Sequence, residues 1–361
     1  MKTRSMAALA AAILSPAAMA QSNVTVYGVL DLAVESGRTG GVTTTRIDSS
    51  AVAPVRLGFQ GTEDLGGGTQ AIFRLESGFN ADTGTLANGG ALFGREAWVG
   101  MKGDLGQVQV GVNYTPLFLS YVTYSMGELN TLGWGNATNN FVFVPAARTS
   151  NSIRYTSPTY QGFTLRAFHG VGNENADGQP HGLGRTSGAA LIYRKGKLSV
   201  DLDYMQQNYA AGSTLSPLVP AQTGRYYLFG ASYDFGLVKP AFLYQAHRGS
   251  ADITAANNAS FANPDNHFFE LDALVRVSTN GTLLLSYGQY SKSRNSAGNA
   301  KSYAVRHDYS LSRRSGLYAG VTRVENGSAA SFTAAPAAGP GIPVAPGHGI
   351  NSAIVGIIHR F

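Results

Sequence analysis

The chain has 361 residues, including 45 Gly, 18 Tyr, 17 Phe and no Cys, with 13% charged residues, 43% hydrophobic residues and a formal net charge of +6. Low charge with many aromatics argues against disorder. The absence of cysteine excludes a disulfide scaffold, a Cys-ligated zinc site and a thiol nucleophile, and the positive charge is not gathered into the Lys/Arg run that a nucleic-acid partner would need.

The chain opens with Lys2 and Arg4, a short apolar run from Met6 to Leu14, and Ala18-Met19-Ala20 ahead of Gln21. Charge, apolar run and small-residue cleavage site come in the order of a secretory signal peptide, expected over residues 1–20. Removing Lys2 and Arg4 takes the net charge from +6 to +4 and leaves an exported chain over 21–361. No later stretch approaches 18 consecutive apolar residues, the length of a membrane-crossing helix.

Beyond Gln21 the chain alternates with period two, the signature of strands. Val24, Val26, Gly28, Leu30 and Leu32 alternate with Thr25, Tyr27 and Asp31, and Val108, Val110 and Val112 with Gln107, Gln109 and Asn113. Leu198, Val200, Leu202 and Tyr204 alternate with Ser199, Asp201 and Asp203. Phe269 to Val277 and Tyr303 to Tyr309 repeat the pattern, each run being about ten residues, the length of a tilted strand that crosses a bilayer.

Short Gly-, Asn- and Asp-bearing connections, such as Asp64–Gly68, Asp104–Gly106, Tyr160–Gly162 and Thr279–Gly281, suit tight hairpins. They take turns with long connections: Ser36–Pro54, Asn80–Ala91, Tyr114–Thr149, Val171–Thr186, Asn208–Gly224, Gly249–Asp265, Lys292–Ala300 and Gly327–Ile350. Sixteen strands are expected, starting near Asn23, Val55, Thr69, Leu92, Gln107, Asn151, Phe163, Ser187, Lys197, Arg225, Leu237, Asn266, Thr282, Lys301, Gly316 and Asn351. The expected fold is all-β, a single transmembrane antiparallel β-barrel with short periplasmic turns and long external loops. Alternation alone leaves open a soluble exported sandwich, in which the apolar faces would point inward.

Several blocks resemble the Gram-negative general porins. Val24-Thr25-Val26-Tyr27-Gly28-Val29-Leu30-Asp31 is similar to that family's first strand, and Arg56-Leu57-Gly58-Phe59-Gln60-Gly61-Thr62-Glu63-Asp64-Leu65-Gly66-Gly67-Gly68 to its second strand and first turn. Phe93-Gly94-Arg95-Glu96-Ala97-Trp98-Val99-Gly100 resembles its fourth strand, and His359-Arg360-Phe361 its terminal strand with a final aromatic. The resemblance implies a homotrimer embedded in outer-membrane lipid and lipopolysaccharide, a passive path for small hydrophilic solutes and inorganic anions, and a third long loop, here Tyr114–Thr149, folded into the lumen as a constriction. Glu96 is expected to face outward, which would suit a subunit contact better than lipid.

Arg56 falls on the lumen side of its strand by alternation with Val55 and Leu57. By resemblance, Arg95 and Arg148 match constriction positions of the arginine-lined, anion-selective branch of the family. Rings of arginine raise the local anion concentration, and a guanidinium stays charged at any relevant pH. Asp31, Arg74, Glu76, Arg154, Arg166 and Arg306 also take lumen parity, beside the acids Asp201, Asp203, Glu270, Asp272 and Asp308. Arg74 and Glu76, two apart on one face, are expected to neutralise each other. Glu128 is the one carboxylate within Tyr114–Thr149. Much of the family places several acids on this loop, so the departure tilts the balance toward anions.

An enzymatic reading finds little support. The seven histidines are scattered without H-E-x-x-H spacing, there is no G-x-S-x-G and no phosphate loop, and neither cofactor nor metal is expected. His307 and Asp308 are adjacent in a strand and point to opposite faces, so they form no dyad. A substrate-specific channel for a small anion or a sugar stays open, because Phe118, Tyr121, Tyr124 and Trp134 in the long loop suit either packing or a sugar slide.

Overall fold

The computed structural model describes residues 23–125, 134–141, 147–172, 184–209, 222–249, 265–293 and 295–361. The expected signal peptide at 1–20 and the loop carboxylate Glu128 lie outside the described residues. Seventeen strands form one antiparallel sheet: β1 (Asn23–Thr39), β2 (Val42–Ser49), β3 (Arg56–Gly66), β4 (Thr69–Gly78), β5 (Glu96–Gly103), β6 (Gly106–Tyr114), β7 (Arg148–Thr156), β8 (Phe163–Gly170), β9 (Thr186–Lys195), β10 (Leu198–Tyr209), β11 (Gln222–Tyr233), β12 (Val238–Arg248), β13 (Asn266–Arg276), β14 (Gly281–Lys292), β15 (Ala300–Ser310), β16 (Ser315–Asn326) and β17 (Ile350–Arg360). Among the described residues, two helices, α1 (Pro116–Tyr124) and α2 (Ala137–Phe141), lie between β6 and β7.

The sheet closes where β17 returns to β1, from Val29↔Arg360 to Thr39↔Ile350. Closure removes the edges, so backbone N–H and C=O groups are paired within the wall, as hydrocarbon requires. On its other side β1 pairs with β3 over Asn23↔Thr62 to Val29↔Arg56, and with β2 over Leu32↔Ser49 to Thr39↔Val42. β2 and β3 are thus two halves of one stave, and the seventeen segments make a barrel of sixteen. Among the described residues no helix is long and apolar enough to cross a membrane; the strands do the crossing.

The expected strand starts match to within four residues, the widest gap being Leu92 against Glu96. Leu92, Phe93 and Gly94 instead belong to the connection after β4, whose last residue, Arg95, donates its N–H to Glu76 O at 3.1 Å. The stretch Ser36–Pro54, expected as a loop, is mostly strand. β1 runs to Thr39, Gly40 and Gly41 turn the chain with positive φ of 56° and 84°, and β2 runs back. Thr and Val at 42–45 suit an extended strand, a signal masked by the glycines beside them.

Alternation sorts the wall as expected. Val26, Val99, Val110, Leu202, Val305 and Val355 are exposed on the outside, while Asp31, Gln109, Asp201, Asp203, Ser302 and Ser352 are buried within. The exposed face is therefore the apolar one, which is the arrangement for lipid and the reverse of a soluble sandwich. Glu96 does not follow the expected outward placement. It is buried, pairs in register with Glu76 on β4, and shares the inner face with Trp98 and Arg74. Because β5 begins at Glu96, Arg95 stands before the regular strand and also points inward, so counting alternate residues through Arg95 inverts the parity.

Candidate channel constriction

The connection from β6 to β7 is held against the inner wall. Pro116 starts α1, and Thr115 caps it by accepting from Phe118 N–H at 3.4 Å. Leu117, Tyr121 and Tyr124 turn to the wall and are buried among Met205, Tyr226, Leu228, Leu243 and Phe268. Wall carboxylates receive the polar groups of the loop. Ser120 Oγ and Tyr124 OH donate to Asp201 at 2.9 and 3.1 Å. Thr138 donates through both N–H and Oγ1 to Glu270, and Ser125 Oγ adds a bond of 3.3 Å. Trp134 Nε1 donates to Glu35 at 3.1 Å, and Arg306, clamped by Asp308 at 2.8 Å, donates to Trp134 O at 2.8 Å. Two wall glycines make the seat. A Cβ on Gly230 would stand 2.3 Å from the Tyr124 ring, and one on Gly288 would stand 2.2 Å from Ala137 Cβ.

Two further segments fold inward. Between β2 and β3, Ser50 adopts a φ of 64° and its Oγ accepts from Val55 N–H at 2.9 Å. Asp31 accepts the N–H groups of Val52 and Ala53, both at 2.7 Å, and the hydroxyl of Tyr318. The connection between β16 and β17, expected as an external loop, also enters the barrel. Phe332 packs edge-on against Phe141 and Tyr290, Asn139 Nδ2 donates to Pro336 O at 2.9 Å, and Ala337 N–H donates to Ala51 O at 2.9 Å. Its Gly-, Ala- and Pro-rich composition is that of an external loop; Phe332 and Ile342, two large apolar residues in a small-residue stretch, are the one signal to the contrary.

Between these segments and the wall lies a cavity of about 560 Å³. Its basic side is formed by Arg56, Arg74, Arg95, Arg148, Glu76, Glu96 and Tyr114. The opposite side is Phe118, Leu119 and Val122 of α1, together with Ala335, Pro336 and Ala337. The three arginines expected at the constriction thus meet in one cavity. Arg95 Nε donates to Glu76 at 2.6 Å, and Arg56 Nε lies 3.5 Å from the same carboxylate, which also accepts from Tyr27 OH at 2.9 Å. Arg74 does not pair with Glu76 as expected. It donates to Glu96 at 2.9 Å and to Gln60 at 2.9 Å, and Trp98 Nε1 holds the other Glu96 oxygen at 2.9 Å.

Arg148 differs from the other three. Among the described residues no carboxylate oxygen lies within 4 Å of it. Its Nη2 donates to Tyr114 OH at 3.2 Å, and its guanidinium sits 4.9 Å from the centre of the Tyr114 ring. Arg95 Nη2 donates to the same hydroxyl at 2.7 Å, and Tyr114 stacks on Phe118 at 4.9 Å with 11° between the rings. Tyr114, which the sequence offered only as a loop boundary, is therefore the hub of the site. It pairs in register with Arg148 where the loop leaves and rejoins the wall.

Of the outer set, Arg154, Asp31 and Arg306 have structural partners. Arg154 donates to Gln109 Oε1 at 2.8 Å and to Tyr114 O at 3.0 Å. Arg166 is half-buried on β8, across Ala190 from Asp203. Asp31 and Arg306 are fully buried as anchors of the inward segments. Three of the four loop aromatics, Tyr121, Tyr124 and Trp134, pack or bond to the wall, while Phe118 faces the cavity.

A family model described as Gram-negative porin matches residues 5–329. Outer membrane porin protein 32 of Delftia acidovorans is 29% identical over 338 residues, covering 91% of this chain and 91% of that one. An outer membrane porin protein of Bordetella pertussis is 32% identical over 273 residues, 65% of this chain and 68% of that one. Among solved structures, an anion-selective porin from Comamonas acidovorans aligns with a TM-score of 0.79 at 26% identity, over 94% of this chain and 100% of that one. A closed sixteen-stranded barrel, an apolar outer face, a lumen narrowed from within and these matches agree: the chain is an outer-membrane porin and belongs to the Gram-negative porin family.

Proposed function

We propose that residues 21–361 form one barrel, left after removal of a leader at 1–20, and that its pore passes small hydrophilic solutes down their gradient with a preference for anions. One observation carries the preference: four guanidiniums and two carboxylates line the cavity, and Arg148 has no acidic partner among the described residues. A cavity of about 560 Å³ is about 10 Å across if taken as a sphere, comparable with the Debye length of about 10 Å at 0.1 M salt, so the excess positive charge acts across most of the opening. No chemical step and no cofactor is required for this task.

The test is the reversal potential of the purified protein in a planar bilayer under a KCl gradient. Chloride preference is expected, reduced in Arg56→Ala, Arg95→Ala and Arg148→Ala; cation preference in the unaltered channel would overturn the reading. We further propose a homotrimer, on the ground of family membership. The expected outcome is a detergent-resistant oligomer of three chains that runs as a monomer on a gel only after heating. Arg38 and Lys301 stand exposed near the long-loop ends of β1 and β15, where they suit the phosphates of lipopolysaccharide.

A further inference from the structure

The side of the cavity facing the arginines is apolar. α1 buries Leu117, Tyr121 and Tyr124 against the wall; Phe118 and Val122 flank that stripe, half-buried against the same cluster, and with Leu119 they line the channel, Pro336 among the lining residues. A channel for inorganic ions alone gains nothing from such a face, because hydrated ions make no favourable contact with hydrocarbon. A site with one guanidinium that has no carboxylate partner among the described residues, set beside a hydrocarbon surface, has the pattern of an amphipathic ligand site, apolar for most of its lining with a few placed polar groups. The Arg148–Tyr114–Phe118 stack joins the two halves, since the cation lies 4.9 Å from the Tyr114 ring centre and that ring lies 4.9 Å from Phe118.

We propose that the constriction binds monocarboxylates carrying a compact apolar body, such as an aromatic ring. The carboxylate docks on the guanidinium of Arg148, and the ring lies on Phe118 and Val122. The proposal rests on the anion preference argued above and names the solute class for the same site. A cavity of about 560 Å³ accommodates a one-ring acid and leaves room for water beside it. Arg95 and Arg56 contribute less to docking, because Glu76 already occupies both. A second carboxylate on the solute meets either the hydrocarbon of α1 and Pro336 or arginines already paired with Glu76 and Glu96, so dicarboxylates of similar size bind less well.

The experiment is single-channel recording of the full-length protein in KCl, with benzoate, acetate and malonate added in turn. Benzoate is expected to interrupt the current saturably, with half-block at about one-tenth the concentration needed for acetate, a ratio set by the ring area removed from water. Malonate is expected to resemble acetate. In Phe118→Ser the benzoate-to-acetate ratio falls towards one, while Phe118→Leu, which keeps an apolar surface, retains most of it. Arg148→Gln abolishes the block by all three. Equal half-block by benzoate and acetate in an anion-preferring channel, or a ratio unchanged in Phe118→Ser, would overturn this proposal and leave the anion preference standing. A cation-preferring channel would remove both.

Discussion

At the scale of single residues, the site is a small charge network whose members do different work. Glu76 collects Arg95, Arg56 and Tyr27, and Glu96 collects Arg74 and Trp98. Both acids sit on the same wall as the arginines, so they subtract from the positive side and build no field across the pore. Glu76→Gln should therefore strengthen the anion preference, since the amide oxygen can still accept from Arg95 while one negative charge is gone. An ionic charge at about 4 Å is worth about 1 kcal/mol in water and more near protein. The expected rise in the chloride-to-potassium permeability ratio is then about two- to five-fold, read from the reversal potential; an unchanged or lowered ratio would show that Glu76 does not bear on the permeating ion. Much of this network was legible. Arg56, Arg74 and Glu76 took lumen parity from strict alternation, which survives because a one-residue slip would send charge into lipid. Glu96 was misread because parity holds only inside a regular strand, and Arg95 stands just outside one. Tyr114 was missed because a tyrosine at a strand end is usually a girdle residue, and nothing local marks one that turns inward.

At the scale of elements, the acids of the lumen wall turn out to be anchors. Asp201, Glu270 and Glu35 accept from Ser120, Tyr124, Thr138, Ser125 and Trp134, so a loop nearly free of charge is fastened by the wall. Hydrogen bonds to charged groups contribute about 1.5–3 kcal/mol each, and Glu270 alone receives both Thr138 and Ser125. Glu270→Ala should loosen α2 and raise open-channel noise, with the barrel still heat-modifiable. Gly288→Leu tests the same contact by sterics. Its Cβ would meet Ala137 Cβ at 2.2 Å, so α2 must shift off the wall. Overpacking of this kind costs about 1–3 kcal/mol, comparable with one anchor. Larger sugars should then enter in a liposome-swelling assay, and an unchanged size limit would show that α2 does not set the opening. The length of the β6–β7 connection was visible in the sequence, whereas the inward fold of the β16–β17 connection was not. Long-range contacts such as Asn139 to Pro336 decide it, and neither residue signals the other.

At the scale of the whole molecule, the chain's average hydropathy conceals two opposite surfaces, and their sorting can be tested on one face alone. Val110 stands 53% exposed at the middle of β6, and Leu105 stands 88% exposed in the turn just before that strand. If the outside of the barrel faced water, an arginine at either position would be harmless, since surface substitutions usually change stability by no more than about 0.5 kcal/mol. In lipid the two differ by depth. An arginine at mid-wall costs about 2–4 kcal/mol, and one at the interface about 0–1 kcal/mol. Val110→Arg should thus unfold from lipid vesicles at distinctly lower urea than the parent, while Leu105→Arg unfolds with it. Alternation made the strands readable, but it could not say which face meets solvent; that follows from closure of β1 on β17, which leaves the Val110 face outside. Equal urea midpoints for the two variants would mean that the Val110 face is not lipid-facing at this depth, either because it is covered by a neighbouring subunit or because the wall sits differently in the bilayer. Repeating the pair four staves further round the wall, with Leu202→Arg against Leu237→Arg, shows whether the result belongs to the β6 face or to the depth of the wall in the bilayer. Leu202 is 52% exposed within β10, and Leu237 is 65% exposed in the short turn before β12.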